Sequence, residues 1–86
     1  MRVGFHKNFN KSYQKCSVKT QKQFKKRLKL FFESPYHPLL ENHSLRGEWQ
    51  NFRSINVTGD YRALYYYLDD DMVEFFVIDT HSNLYK

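Results

Sequence analysis

FRSINVTGDYRALYYYLDDDMVEFFVIDTHSNLYK, residues 52–86, holds three strand-like runs separated by two turns. The first run is read over residues 49–57. Phe52 is apolar, and Ile55 and Val57 alternate with Ser54 and Asn56, the period of a strand with one buried face. Thr58-Gly59-Asp60 is a turn, with glycine available for positive φ. The second run covers residues 61–68. Its stretch ALYYYL is nearly continuous, which places it in the middle of a sheet. Asp69-Asp70-Asp71 is a hairpin turn into a third strand at 72–78, and residues 80–86 form a tail. Short connections of this kind predict an antiparallel meander.

Working outward, residues 2–6 alternate as a short first strand with Val3 and Phe5 inward. Asn8 or Asn10 is placed to cap a helix at about 9–16, and Ser17 or Thr20 to cap a second. Val18, Gln21, Phe24, Leu28 and Phe31 recur at helical spacing, with Phe32 widening the stripe. That helix ends near Glu33, because Ser34 precedes Pro35 and is pushed out of the helical region. Residues 35–45, PYHPLLENHSL, contain two prolines and read as a loop. The order β-α-α-β-β-β predicts an α+β fold: two N-terminal helices on one face of a mostly antiparallel four-stranded sheet, with the other face partly open.

Eighty-six residues make one small domain. Eight Phe, seven Tyr and one Trp argue for a packed core and against disorder. Cys16 is the single cysteine, so no internal disulfide is expected, which suits a reducing compartment such as the cytoplasm. No signal peptide or bilayer-spanning run is expected, since the longest apolar stretches are short. The net charge of +5 is unevenly spread. Residues 1–32 carry ten Lys/Arg and no acid, while residues 33–86 carry four Lys/Arg and all nine acids. Such a one-sided basic region suits a polyanion such as RNA, or an acidic protein. Lys22, Lys25, Lys26 and Lys29, with Tyr61, are therefore candidate RNA contacts. A solvated helix face is the plainer reading of such a charge run, but the absence of acids over so long a stretch favours a partner.

Arginine, histidine and tyrosine together suit metal-free RNA cleavage by the strand's own 2′-hydroxyl. A base takes the hydroxyl proton, a cation neutralises the phosphorane, and an acid protonates the 5′-oxygen. His81 suits the acid, because imidazole titrates near neutrality. Arg62 suits the phosphate clamp, because its planar fork matches phosphate oxygens. Tyr85, His43 and Asp60 are candidate bases, acids or positioners, and Arg46 and Arg53 are candidate phosphate contacts. Structural alternatives stand beside each role. Arg62 could pair with an aspartate, His81 could cap a strand end, and Tyr85 could pack on Phe75. His37, His43, Asp79 and His81 match no metal-ligand spacing, so neither a metal nor another cofactor is expected.

Three segments carry a family resemblance: HSLRGEWQNFRS from His43, GDYRALYY from Gly59, and DTHSNLY from Asp79. In order and spacing the chain resembles the RelE/ParE toxin superfamily, most closely its YafQ-like mRNA interferases. The resemblance implies a compact α+β fold, ribosome-dependent cleavage of mRNA and neutralisation by a cognate antitoxin protein. It also implies catalytic positions at His43, Asp60, His81 and Tyr85. Tyr61 stands where that group often has Trp, and Arg62 matches an arginine that other members use on the scissile phosphate. Two positions depart from the group. Asn56 replaces a second histidine and Val77 replaces an arginine. The superfamily resemblance also admits a ParE-like toxin acting on a protein such as DNA gyrase, or a catalytically weakened binding member.

Overall fold

The computed structural model describes residues 1–85. The chain runs β1 (Arg2–Phe5), α1 (Lys7–Gln14), α2 (Val18–Glu33), a 3₁₀ turn (Pro38–Leu40), β2 (His43–Ser44) and a second 3₁₀ turn (Gly47–Trp49). It continues through β3 (Arg53–Asn56), β4 (Tyr61–Asp69), β5 (Met72–Thr80) and a short helix α3 (His81–Leu84). The sheet order is β1-β5-β4-β3-β2, with β1 parallel to β5 and the other pairs antiparallel. The expected α+β architecture and its meander are therefore present. A two-residue fifth strand at His43 extends the sheet, and the expected tail turns into α3.

Local chemistry accounts for the boundaries. Nδ1 of His6, rather than either asparagine, accepts the Asn8 N–H and caps α1. Ser17 caps α2 by accepting the Thr20 N–H at 3.2 Å. The β4–β5 turn is held by Asp69 Oδ1, which accepts the Asp71 N–H at 2.8 Å. The strand expected from residue 49 is confined to Arg53–Asn56. Gly47 and Asn51 adopt positive φ of 67° and 77°, and that conformation does not continue a strand.

Two cores lie on opposite faces of the sheet. The larger packs Phe9, Phe24 and Phe31 of the helices against Ile55, Tyr65 and Phe75 of the strands. Along α2 the covered positions are Thr20, Phe24, Leu28 and Phe31. Val18 and Phe32, expected in the same stripe, are 65% and 48% exposed. The smaller core joins Leu64, Val77 and Leu84 to Leu45, Trp49 and Phe52 on the other face. That second face is therefore partly covered by residues 45–52 and α3.

A bulge in β5 separates the two cores. Leu64 pairs with Val77 and Tyr65 with Phe75, so Phe76 is the extra residue between them. Phe75 and Ile78 thereby both reach the helix side, while Phe76 and Val77 both serve the smaller core.

Candidate active site

His43, Arg62, His81 and Tyr85 line one open cleft of about 340 Å³, together with Glu41 and Leu45. Four separate elements or turns bring them together: β2, β4, the start of α3 and the residue after it. Strand register does much of this. Arg62 shares a row with Asn56 and Asp79, and two residues along the strands His43 shares a row with Ser54, Leu64 and Val77.

His81 opens α3. Thr80 caps the helix by accepting the Asn83 N–H, and the His81 N–H donates to the Asp60 carbonyl at 2.8 Å. The imidazole packs against the Tyr85 ring, four residues later, with centroids 4.6 Å apart. Tyr85 is in turn seated in the smaller core. Trp49 fixes this end of the chain, because its indole N–H donates to the Leu84 carbonyl at 2.8 Å.

Arg62 is held from one side. Its Nη1 donates to Asn56 Oδ1 at 2.6 Å, to the Thr58 carbonyl at 3.1 Å and to the Tyr61 carbonyl at 3.2 Å. The rest of its five-donor fork has no protein partner among the described residues. The arginine is thus oriented by neutral oxygens and forms no ion pair among the described residues. Pairing with an aspartate, the structural alternative for Arg62, is not what is found.

His43 is fixed in one tautomer. Its Nδ1 lies 2.7 Å from the Glu41 carbonyl oxygen. A carbonyl only accepts, so Nδ1 carries a proton, and whenever the ring is neutral Nε2 is the bare nitrogen. Glu41 reaches this position through a left-handed backbone, φ 47°. Neither Glu41 nor Leu45 carried a sequence signal for the site.

The remaining candidates fall elsewhere. Asp60 lies in a neighbouring depression with Thr80, His81 and Ser82 and is not among the residues that line the cleft. Arg53 is on the opposite face, where Nε donates to Asn42 Oδ1 at 3.0 Å and the guanidinium sits 5.5 Å from the Tyr36 ring centre. Tyr61 also faces the helix side and lines a groove with Lys22 and Lys26. Lys25 borders a separate apolar hollow beside Phe5 and Phe24. Arg46 and Lys29 are exposed and line none of these sites. Val77 is buried beneath the cleft in the smaller core. Among the described residues, no three His, Cys, Asp or Glu side chains cluster as a metal site.

A family model described as "Bacterial toxin of type II toxin-antitoxin system, YafQ" matches residues 1–86. The chain belongs to the YafQ toxin family. Its fold is similar to that of YafQ from E. coli strain BL21(DE3), at 20% identity over 100% of both chains, with a TM-score of 0.81. It is also similar to the E. coli DinJ-YafQ toxin-antitoxin complex, at 20% identity over 98% of this chain and 96% of that one, TM-score 0.78. A YoeB/ParE toxin from Agrobacterium tumefaciens matches at 15% identity over 94% and 99% of the two chains, TM-score 0.75. At these identities the structural likeness speaks for the YafQ-like fold. No curated protein sequence matches the chain significantly. The resemblance read from the three sequence blocks is thus borne out at the level of family and fold.

Proposed function

We propose that this YafQ-family toxin is a ribosome-dependent, metal-independent mRNA endoribonuclease. The observation that carries the reading is the convergence of His43, Arg62, His81 and Tyr85 on one cleft. Nε2 of His43 removes the proton of the 2′-hydroxyl, and the 2′-oxygen forms a bond to the adjacent phosphorus. The free edge of the Arg62 fork neutralises the charge that grows on the phosphorane. Protonated His81 gives its proton to the 5′-oxygen as the P–O5′ bond breaks. The products are a 2′,3′-cyclic phosphate and a 5′-hydroxyl. Tyr85 orients the His81 ring, and Asp60 lends negative charge from the neighbouring depression.

The hydrogen bonding supports His43 over Asp60 as the base. Nδ1–H of His43 is committed to Glu41, which directs the bare nitrogen to proton abstraction. Asp60 lies outside the cleft that holds Arg62. Arg62 also stands in for the cation that Val77 does not provide.

Purified protein added to ribosomes carrying a defined mRNA is expected to cut the message in the A site. His81→Ala is expected to slow cutting by ~10²–10⁴-fold, the usual worth of a placed proton donor. Full cutting, or full growth inhibition, by His81→Ala would remove this mechanism. A toxin aimed at DNA gyrase would instead inhibit supercoiling and give the two cleft histidines no task.

The same reading assigns a cytoplasmic site of action and an antitoxin partner. YafQ occurs with DinJ in the E. coli complex. On this chain, the acid-free residues 1–32 offer a surface for an acidic segment.

A further inference from the structure

A groove of about 690 Å³, roughly twice the cleft's volume, runs between α2 and the turn at residues 58–60. Lys19, Lys22 and Lys26 line one wall and Arg27 closes it, donating from Nε to the Val57 carbonyl at 3.4 Å. Three- and four-residue spacing puts the lysines on one helix face, with axial steps of about 4.5 and 6 Å. Asp60 is the single acid among the lining residues, and the Tyr61 ring sits half-buried in the opposite wall.

Two facts separate this groove from an ordinary solvated helix face. First, its cations border a concavity, where protein walls concentrate the field. Among the described residues the ion pairs join Met1 and Arg2 to Asp69 and Asp71, and none involves a groove cation. Second, a small depression links the groove to the cleft through shared lining residues. Asp60 borders both the groove and the small depression beside it, and His81 borders both that depression and the cleft.

We propose that the groove is an extended-strand subsite, holding the phosphate backbone of the same RNA molecule whose scissile bond lies in the cleft. This deepens the endoribonuclease reading and rests on it. Arg62 takes the scissile phosphate. The strand then passes His81 and Asp60, and successive phosphates meet Lys19, Lys22 and Lys26. Tyr61 offers a ring face on which a base stacks without regard to its identity.

The test uses the full chain and a labelled nine-nucleotide RNA, 2′-O-methylated throughout so that it is not cut. Each single-strand phosphate deprived of its cation lowers the salt dependence of log Kd by about 0.7. Changing Lys22→Gln and Lys26→Gln together is expected to lower it by about 1.4, and Arg62→Gln by a further ~0.7. Changing Lys7→Gln and Lys11→Gln, on α1, is expected to leave the slope as it was, and binding is expected to saturate at one strand per protein. An unchanged slope in the groove variant, an equal fall in the α1 variant, or two strands per protein would overturn the proposal. The two readings fail separately. Wild-type cutting on programmed ribosomes with a groove that does not bind removes only the subsite. A lowered slope in the groove and Arg62 variants, without cutting by the wild type, removes only the nuclease.

Discussion

Oδ1 of Asn56 accepts a 2.6 Å hydrogen bond from Nη1 of Arg62, its partner across β3 and β4. The bond is charge-assisted, and it fixes one end of the guanidinium without cancelling its charge. Asn56 therefore works as a positioning residue at a place where the resembled group has a histidine.

Loosening that bond has a calculable cost. A hydrogen bond to a charged group is worth ~1.5–3 kcal/mol, so Asn56→Ala is expected to slow mRNA cutting by about tenfold or more. Asn56→Asp is expected to cost more, because a carboxylate would neutralise the cation. Arg62→Lys is expected not to restore activity, since an ammonium lacks the fork. Single-turnover cutting rates on programmed ribosomes check all three, and wild-type rates in Asn56→Ala would contradict the positioning role.

Beneath the cleft, the Ser54 hydroxyl is fully buried and has no hydrogen-bond partner among the described residues. Its side chain lies in the row joining His43 to Leu64. An unmet buried hydroxyl costs ~1–3 kcal/mol, so Ser54→Ala is expected to be neutral or stabilising. A gain of about 1 kcal/mol would appear as a rise in Tm of about 4–8 °C for a domain this size. A clear fall in Tm would show that the hydroxyl has a partner in solution.

Trp49 ties the 3₁₀ turn to the C-terminal helix through its bond to the Leu84 carbonyl. Trp49→Phe keeps a ring in the smaller core and removes the donor. The expected result is a loss of ~0.5–1.5 kcal/mol in chemical unfolding, with a larger fractional loss of cutting. The excess arises because His81 and Tyr85 sit on the element that is released.

Alkaline stability reports on the larger core. Burial pushes the Tyr65 hydroxyl up to about 12 from its ordinary value of 10.0, although its hydrogen bond with Asn42 acts in the lowering direction. The unfolded chain therefore gives up this proton first as pH rises. Tyr65 thus makes stability fall between about pH 10 and pH 12, with no further loss from this group above 12. Tyr65→Phe is expected to flatten that part of the curve in urea melts across this range. A slope unchanged by the substitution would assign the alkaline loss to other groups. Tyr66, also raised to about 12 by desolvation and then by its bond to Glu74, is the next to test.

Much of this arrangement was legible in the residues. The Asp-rich turn and the near-continuous ALYYYL run defined the β4–β5 hairpin. Phe24, Leu28 and Phe31 defined the buried side of α2. The faces of Arg53 and Tyr61 were also legible from strand parity, because Arg53 keeps step with Ile55 and Val57, and Tyr61 with Ala63 and Tyr65. Arg53 was singled out on chemical type and Tyr61 from the family resemblance, and the period of two carries both to the helix side, away from Arg62. Other features had no local signal. The bulge at Phe76 depends on how two strands meet. The left-handed Glu41 matters only because His43 folds back onto its carbonyl. The smaller core arises from the turn at Trp49 closing over α3, a contact spanning 35 residues.

In the proposed mechanism two histidines divide the labour, with His43 as base and His81 as acid. An mRNA whose scissile 5′-oxygen is replaced by sulfur tests this most directly, because a thiolate leaves without needing a proton. On programmed ribosomes, His81→Ala is expected to cut this substrate at close to the wild-type rate, while His43→Ala stays slow by ~10²-fold or more. Rescue of His43→Ala instead, or of neither variant, would contradict the assignment.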